Sequence, residues 1–231
     1  MEEILRAHMN APEEVLQRFL RYGELLKQTN AVTNLTAIRD DAGIARLHFL
    51  DSIELRRYAD FAGKDVIDVG TGAGFPGLPL RLTQPDMHLT LLDSNNKKVD
   101  FLKTVCAELA PDAVCLWGRA EELPQLRERF DIAVSRAVAE LELLAELCLP
   151  MVKVGGQFLA MKKPDCDDEV HRAEFAIKAL GGRLRSIERY TVPGTDVEHA
   201  VVIIDKTKPT PPQYPRRWAQ IKKKPLKGER T

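Results

Sequence analysis

The stretch VIDVGTGAGFPGLPL, residues 66–80, carries the residue types best suited to holding a small molecule. Asp68 ends an apolar run, Gly70, Gly72 and Gly74 follow at alternate positions, and Pro76-Gly77 comes next. A strand that turns through glycines into a helix presents backbone N–H groups to a ligand. Nucleotides, dinucleotides and S-adenosylmethionine all use such turns. The pattern GxGxxG occurs literally from Gly72 to Gly77. Measured from Gly70, however, dinucleotide spacing would need glycine at 75, where Phe75 stands. The order D-V-G-T-G-A-G suits S-adenosylmethionine, which has no pyrophosphate but has an ammonium and a carboxylate to satisfy. Asp68 is expected to help with the ammonium, and the loop N–H groups with the carboxylate.

Asp93 ends the next apolar run, 23 residues after Gly70. An acid there accepts both hydroxyls of an adenosine ribose, or it caps a helix starting at NNKK. After a third run comes Gly118-Arg119-Ala120-Glu121-Glu122. This is either the adenine edge of the same site or an acid-rich helix start.

The elements that must position these residues follow from periodicity. Apolar residues at helical spacing predict helices over 11–28 and 40–58, the second burying Ile44, Leu47, Leu50, Ile53 and Leu55. NAVTNLTAI (30–38) reads as a loop between them. Beyond Gly63, strands are predicted at 65–69, 88–93, 113–117, 131–135 and 157–162, with helices at 76–83, 96–109, 139–150 and 166–180. Such alternation means a parallel sheet covered on both faces. Strands at about 183–192 and 198–206, with PGTD (193–196) as turn, form an antiparallel hairpin at one edge. The fold class is therefore α/β: a Rossmann-like class I S-adenosylmethionine-dependent methyltransferase fold, mostly parallel, with a C-terminal antiparallel hairpin and N-terminal helices. The expected organisation is a helical extension (1–62), a methyltransferase domain (63–206) and a basic, linker-like or disordered tail (207–231).

Composition narrows the class. At 231 residues and 44% hydrophobic content the chain suits one substantial domain. No run of 18 apolar residues spans a membrane, and the acidic start MEEILRAHMNAPEE is no secretion signal. Cys106, Cys115, Cys148 and Cys166 lack paired spacing and read as reduced thiols of a cytoplasmic protein. Five scattered histidines give no metal-ligand spacing, so no metal is expected. The zero net charge hides an asymmetry: Lys206–Thr231 holds nine Lys or Arg against one acid, Glu229. That tail is either a solvated end or an arm for phosphate backbones, with Tyr214 and Trp218 able to stack on bases.

NLTAI (34–38), HFLDSI (48–53), DVGTGAGFPGLPL (68–80), LLDSNNKK (91–98), GRAEE (118–122), SRAVA (135–139) and LAMKK (159–163) occur in order. Together they resemble the RsmG/GidB family of bacterial 16S rRNA guanine-N7 methyltransferases, from about residue 12 to 205. The tail YPRR…KKKPL is similar to the basic ending of some members. The resemblance implies S-adenosylmethionine as donor, S-adenosylhomocysteine as product, and N7 of a guanine in the decoding-region loop of 16S rRNA as acceptor. It implies that Gly70 and Phe75 contact the donor, that Ala120 and Glu121 lie beside the adenine, and that Arg136 stands at the reaction centre. Arg119 and Lys162 match further positions that could reach RNA, and Asn34 and His48 are candidates for the entrance. A capping Asn, a packed His and a solvated Lys162 are the structural alternatives. Two departures stand out: Leu47 replaces the usual Arg before His48, with Arg46 one place earlier, and Trp218-Ala219 replace a Pro-Gly.

Guanine N7 carries an unprotonated lone pair at neutral pH, so no catalytic base is required and no His/Asp dyad is expected. Positive charge moves from sulfur to the purine, so Arg136 is cast as a donor to O6 or phosphate, or as a structural tie. The expected partner is 16S rRNA or the small ribosomal subunit, and the expected state a monomer. Two rivals remain: an NAD-type oxidoreductase, which would need a proton-transfer residue at the rim, and a non-catalytic RNA-binding module with an empty glycine loop.

Overall fold

The computed structural model describes residues 1–228, so Glu229, Arg230 and Thr231 of the tail lie outside the described residues. The chain divides into two units: Met1–Trp117 with Thr191–Val197, and Gly118–Tyr190 with the chain from Glu198 onward.

The first unit opens with α1 (Glu2–His8) and α2 (Glu13–Asn30). A helical stretch follows, made of α3 (Asp41–Gly43), a π-helical segment over Ile44–Leu50, α4 (Asp51–Ile53) and a 3-10 turn over Glu54–Arg57. Then come β1 (Asp65–Val69), α5 (Gly77–Thr83), β2 (His88–Asp93), α6 (Asn96–Leu109) and β3 (Val114–Trp117). β2 pairs in parallel with β1 on one side and β3 on the other. Val66, Ile67, Val69, Leu89, Leu91 and Leu92 are buried in these strands. Parallel strands with helical crossovers need apolar residues on both faces, which is why these runs do not alternate.

The second unit holds β4 (Phe130–Arg136), α7 (Leu141–Cys148), β5 (Val152–Lys162), α8 (Asp167–Ala179), β6 (Gly182–Thr191), β7 (Glu198–Lys206) and α9 (Trp218–Lys223). β4 and β5 pair in parallel, β7 runs antiparallel to β5, and β6 pairs with β7 on its far side. The α/β architecture with a late antiparallel hairpin is as the sequence predicts. Val192 N–H donates to Val197 O at 2.8 Å, closing the turn around PGTD.

The acidic start forms α1, where Arg6 donates to Glu2 at 2.8 Å and to Glu13 at 2.8 Å. Three local expectations need correction. β5 begins at Val152 rather than 157, with Gly155-Gly156 in an irregular register between the Phe130↔Val152 and Ile132↔Gln157 pairs. In the 40–58 helix, Leu47 and Ile53 are half-buried while His48 through Ser52 are all buried. The wider π turn shifts which side chains face inward.

The third correction is the tail, whose described residues fold onto the second unit. Arg127 donates to the carbonyls of Tyr214 (2.6 Å), Pro211 (3.2 Å) and Thr210. Arg216 holds the fully buried Glu146 of α7 through Nε at 2.8 Å and Nη2 at 2.6 Å. Lys206, also buried, donates to Leu149 O at 2.5 Å and Thr210 Oγ1 at 2.7 Å. These anchors are polar, so hydropathy could not reveal them.

The N-terminal helices back the glycine turn. α2 buries Leu16, Phe19, Tyr22 and Leu26 along one face. Tyr22 donates its hydroxyl to Ala73 O at 2.5 Å, and its ring stacks on Phe49 (5.2 Å) and Phe75 (5.5 Å). Gly74, at φ +105°, has no room for a side chain: a Cβ would fall 2.4 Å from the Tyr22 hydroxyl. Buried aromatic pairs of this kind contribute roughly 0.5–1.5 kcal/mol each beyond the area they bury.

Tyr22→Phe leaves the buried Ala73 carbonyl without its donor and is expected to lower unfolding free energy by about 1–2 kcal/mol. Gly74→Ala should cost less in the Tyr22→Phe background than alone, since the clashing oxygen is gone. Denaturant melts of the four-member cycle check this; strict additivity would contradict it. Burial pushes the Lys206 ammonium from its ordinary 10.5 down to about 8, despite Glu128 at 3.8 Å. Between those values the unfolded chain binds more protons, so this group adds stability as pH rises. The stability advantage of wild type over Lys206→Met should therefore grow from about pH 8 to about pH 10. An advantage that is flat or shrinks would contradict the assignment.

Candidate active site

In the first unit, β1 leaves the sheet through residues with φ of +71° at Gly70, +63° at Gly72 and +105° at Gly74. Only glycine adopts these angles at little cost, which explains the alternate spacing. Gly70 and Thr71 donate to Leu92 O at 2.8 and 3.1 Å, which fastens the turn to the end of β2. Asp68 is fully buried, and its Oδ2 accepts from Thr71 Oγ1 (2.6 Å) and Gly77 N (2.8 Å). A Cβ on Gly77 would lie 2.9 Å from that same oxygen, so glycine is needed there for close approach. Asp68 thus braces both ends of the loop.

Asp93 completes the frame. Its Oδ2 accepts from Gly72 N at 2.9 Å and its Oδ1 from Asn95 N at 2.8 Å. It supports the approach to α6, while the cap itself is Asn95, whose side chain accepts from Lys97 N at 3.0 Å. A carboxylate has about four acceptor positions, so each oxygen of Asp93 keeps capacity for a further donor. The N–H groups of Gly70, Thr71, Gly72, Gly74, Phe75 and Gly77 all have acceptors within this unit. These N–H groups are engaged by the strands and carboxylates around the loop and by Thr71 O, and what they leave for a ligand is shape. A Cβ on Gly72 would meet nothing nearer than Lys98 Nζ at 3.9 Å, so that side of the turn is open.

Phe75 is only 5% exposed and belongs to the aromatic cluster behind the loop. His48 stacks on it with centroids 4.3 Å apart, and His48 Nε2 lies 2.8 Å from Thr36 Oγ1. His48 is therefore a buried packing residue in the π-helical segment. Asn34 is exposed on the 31–40 loop. The organiser of that loop is the buried Asn30, whose Oδ1 accepts from Leu35 N (2.8 Å) and Thr36 N (3.0 Å) and whose Nδ2 donates to Thr36 O (2.9 Å). Tyr22 and Asn30 were missed from sequence. Tyr22 sits on the apolar stripe of α2, where a lone phenol needing a partner was the available signal.

In the second unit, Ala120 and Glu121 lie in a 3-10 turn over Ala120–Glu122 and line a cavity of about 330 Å³ with Leu123, Arg127 and Tyr214. The Glu121 side chain is 4% exposed, and its Oε1 has no hydrogen-bond partner, with Arg119 Nη1 at 3.8 Å. A buried carboxylate oxygen left without a donor costs about 1–3 kcal/mol. Arg136 ends β4 opposite Met161, and Ala137 after it turns at φ +56°. A non-glycine residue in that region is uncommon and clusters at functional sites. Lys162 is not a solvated charge: its Nζ donates to Ala139 O at 2.7 Å and to Glu169 Oε1 at 2.5 Å. Glu169 also accepts from Leu141 N at 2.6 Å, so the pair ties the SRAVA turn to the starts of α7 and α8.

Among the described residues, no group of three or more His, Cys, Asp or Glu could hold a metal ion, and no helix is long and apolar enough to cross a membrane.

Residues 15–196 match the family described as rRNA small subunit methyltransferase G, GidB. The chain is 46% identical over 224 residues to the ribosomal RNA small subunit methyltransferase G of Clostridium perfringens strain SM101, covering 95% of this chain and 94% of that protein. It is similar in fold to TrmN from Thermus thermophilus, with a TM-score of 0.54 at 20% identity over 67% of this chain and 48% of that one. It is also similar to a SAM-dependent methyltransferase from Aquifex aeolicus, with a TM-score of 0.53 at 18% identity over 71% of this chain and 94% of that one. These likenesses bear out the class I methyltransferase fold, and the chain belongs to the rRNA small subunit methyltransferase G family, GidB.

Proposed function

We propose that this chain transfers a methyl group from S-adenosylmethionine to N7 of a guanine in the decoding-region loop of 16S rRNA. The observation that carries the reading is the braced glycine turn with Asp93 at its rim, in a chain matching the family over residues 15–196. The residues fit the donor: the open side of Gly72 leaves space, and Asp93 keeps acceptor capacity for ribose hydroxyls. In the first unit Asp68, Gly70, Gly72 and Phe75 shape the seat and Asp93 takes the ribose. The resemblance adds roles for Ala120, Glu121 and Arg136. Glu121 Oε1 is an unfilled acceptor suited to an exocyclic amine.

When bound, S-adenosylmethionine supplies an electrophilic sulfonium methyl and leaves as S-adenosylhomocysteine. Guanine N7 needs no deprotonation, so the work of the protein is alignment and exclusion of water. Arg136 donates to guanine O6 or to a phosphate, holding the base without pressing its charge on N7. Lys162 and Glu169 fix the turn that carries Arg136. Arg119, half exposed at its side chain, is a contact to the RNA backbone. His48 and Asn30 keep the 31–40 loop in place, with Asn34 on its exposed side. N7 faces a groove too narrow to enter in A-form duplex, so the target base is unpaired or extruded. A monomer in the cytoplasm, working without a metal on rRNA or the small subunit, completes the proposal. An NAD-type oxidoreductase is not favoured, because the chain belongs to the rRNA small subunit methyltransferase G family. A non-catalytic module is not favoured either, because the loop is braced and its open side kept.

Incubation with radiolabelled S-adenosylmethionine and small subunits from a strain lacking its own enzyme, followed by mapping of 16S rRNA, tests the reading. Label is expected on one guanine N7; label on another atom, or none on either subunits or naked rRNA, would overturn it. Arg136→Ala should lower turnover about 100-fold while donor affinity changes little, a split measured by single-turnover kinetics and titration. Unchanged turnover would remove Arg136 from the reaction centre.

A further inference from the structure

Trp117 is an unusual residue for its position. It ends β3, the edge strand of the first unit, and 64% of it is exposed. An indole is among the largest apolar surfaces a chain can bury, and this one stays in water. It is also fixed. Its Nε1–H donates to Ser94 O at 3.1 Å, so the ring is tethered by its polar edge while most of its surface remains open. The ladder pairs Trp117 with Asp93, and Asp93 holds Gly72 of the glycine turn. The exposed indole is therefore one strand away from the proposed ribose acceptor.

Its surroundings are polar and cationic. Ser94, Asn95, Asn96 and Lys97 are exposed, Lys103 is exposed further along α6, and Lys98 Nζ lies toward the open side of Gly72. The two acids between residues 93 and 103 are already engaged. Asp93 accepts from two backbone N–H groups, and Asp100 accepts from Asn96 Nδ2 at 3.0 Å with Lys103 Nζ at 3.9 Å. An exposed aromatic tethered to Ser94, beside the amide- and lysine-rich start of α6, differs from the contiguous apolar patch that a protein interface buries at its centre. It has the composition of a single-stranded nucleic-acid platform, where a ring takes a base and lysines take the adjoining phosphates.

We propose that Trp117 with Lys97 and Lys98 forms a stacking platform for an unpaired segment of the RNA substrate, flanking the methyl-donor seat. This rests on the proposed function above; Lys97 and Lys98 fall within LLDSNNKK, and Trp117 adds a contact outside the stretches through which the family was recognised. The indole stacks on a base beside the target guanine, and Lys97 and Lys98 take flanking phosphates. The platform then helps to hold the strand unpaired, which N7 access requires.

Binding of a fluorescein-labelled single-stranded oligoribonucleotide and of 16S rRNA transcript, measured across salt concentrations, tests this together with an S-adenosylmethionine titration. Trp117→Ala should weaken RNA binding about tenfold with donor affinity unchanged, and Trp117→Phe should retain most of it. Lys97→Gln should reduce the slope of log affinity against log salt by about one unit, whereas Trp117→Ala leaves the slope as it is. Unchanged RNA affinity in Trp117→Ala would overturn the platform. Loss of donor affinity with RNA binding intact would overturn it too, and would place the ring against the adenosine. If wild type methylates rRNA and Trp117→Ala is indifferent, only the platform fails; if wild type binds no RNA, the proposed function fails with it.

Discussion

A turn with three glycines at positive φ does not hold itself; two buried carboxylates hold this one. Asp68 is fully enclosed between β1 and the start of α5, where an unsatisfied charge would be very costly. Its Oδ2 accepts from Thr71 and Gly77, and these two bonds fix both ends of the loop. Asp93 does the same for Gly72 from the neighbouring strand. The remaining freedom is at Ala73 and Gly74, and there the Tyr22 hydroxyl arrives from α2. The N-terminal helices are thus the back wall of the glycine turn, with Phe49, His48 and Phe75 filling the space between.

The same logic of polar anchoring recurs in the second unit. Lys162 and Glu169 hold the SRAVA turn through Ala139 and Leu141, while Ala137 takes the left-handed angle that redirects the chain after Arg136. Arg127, Arg216 and Lys206 bring the basic tail into the fold by donating to carbonyls and to Glu146. In each case a cation that sequence reading would assign to solvent or RNA is spent on structure. Exposed candidates for contact with a polyanion are correspondingly fewer, which sharpens attention on Arg119 and the Lys97–Trp117 region.

What the sequence disclosed and what it hid divide along physical lines. Strands β1 to β4 and helix α6 were legible to within a residue or so, because short apolar runs and 3.6-residue periodicity report burial directly. The glycine loop, Asp93 and SRAVA were legible as motifs. Hidden were the interactions that join distant residues through hydrogen bonds: Tyr22 to Ala73, Asn30 to Thr36, Arg216 to Glu146. The π-helical segment was hidden as well, since periodicity assumes a regular turn and Leu47 was assigned the inward face that the segment gives to His48 and Phe49. The expected role of the loop N–H groups shifted for a related reason. Their acceptors, Leu92 O and Asp93, become neighbours only once the strands pair.

The central claim is that the braced glycine turn is a ready-made seat for S-adenosylmethionine, and a titration of Gly72→Asp against wild type tests it most directly. Aspartate tolerates the left-handed angle better than most residues, and its Cβ would enter the open side of the turn, so the variant should fold with a modest loss of stability from the angle alone. The account predicts one saturable site in wild type, competed by S-adenosylhomocysteine and not by NAD, and lost in the folded variant. Wild-type affinity in a folded Gly72→Asp chain, or equal competition by NAD, would contradict it.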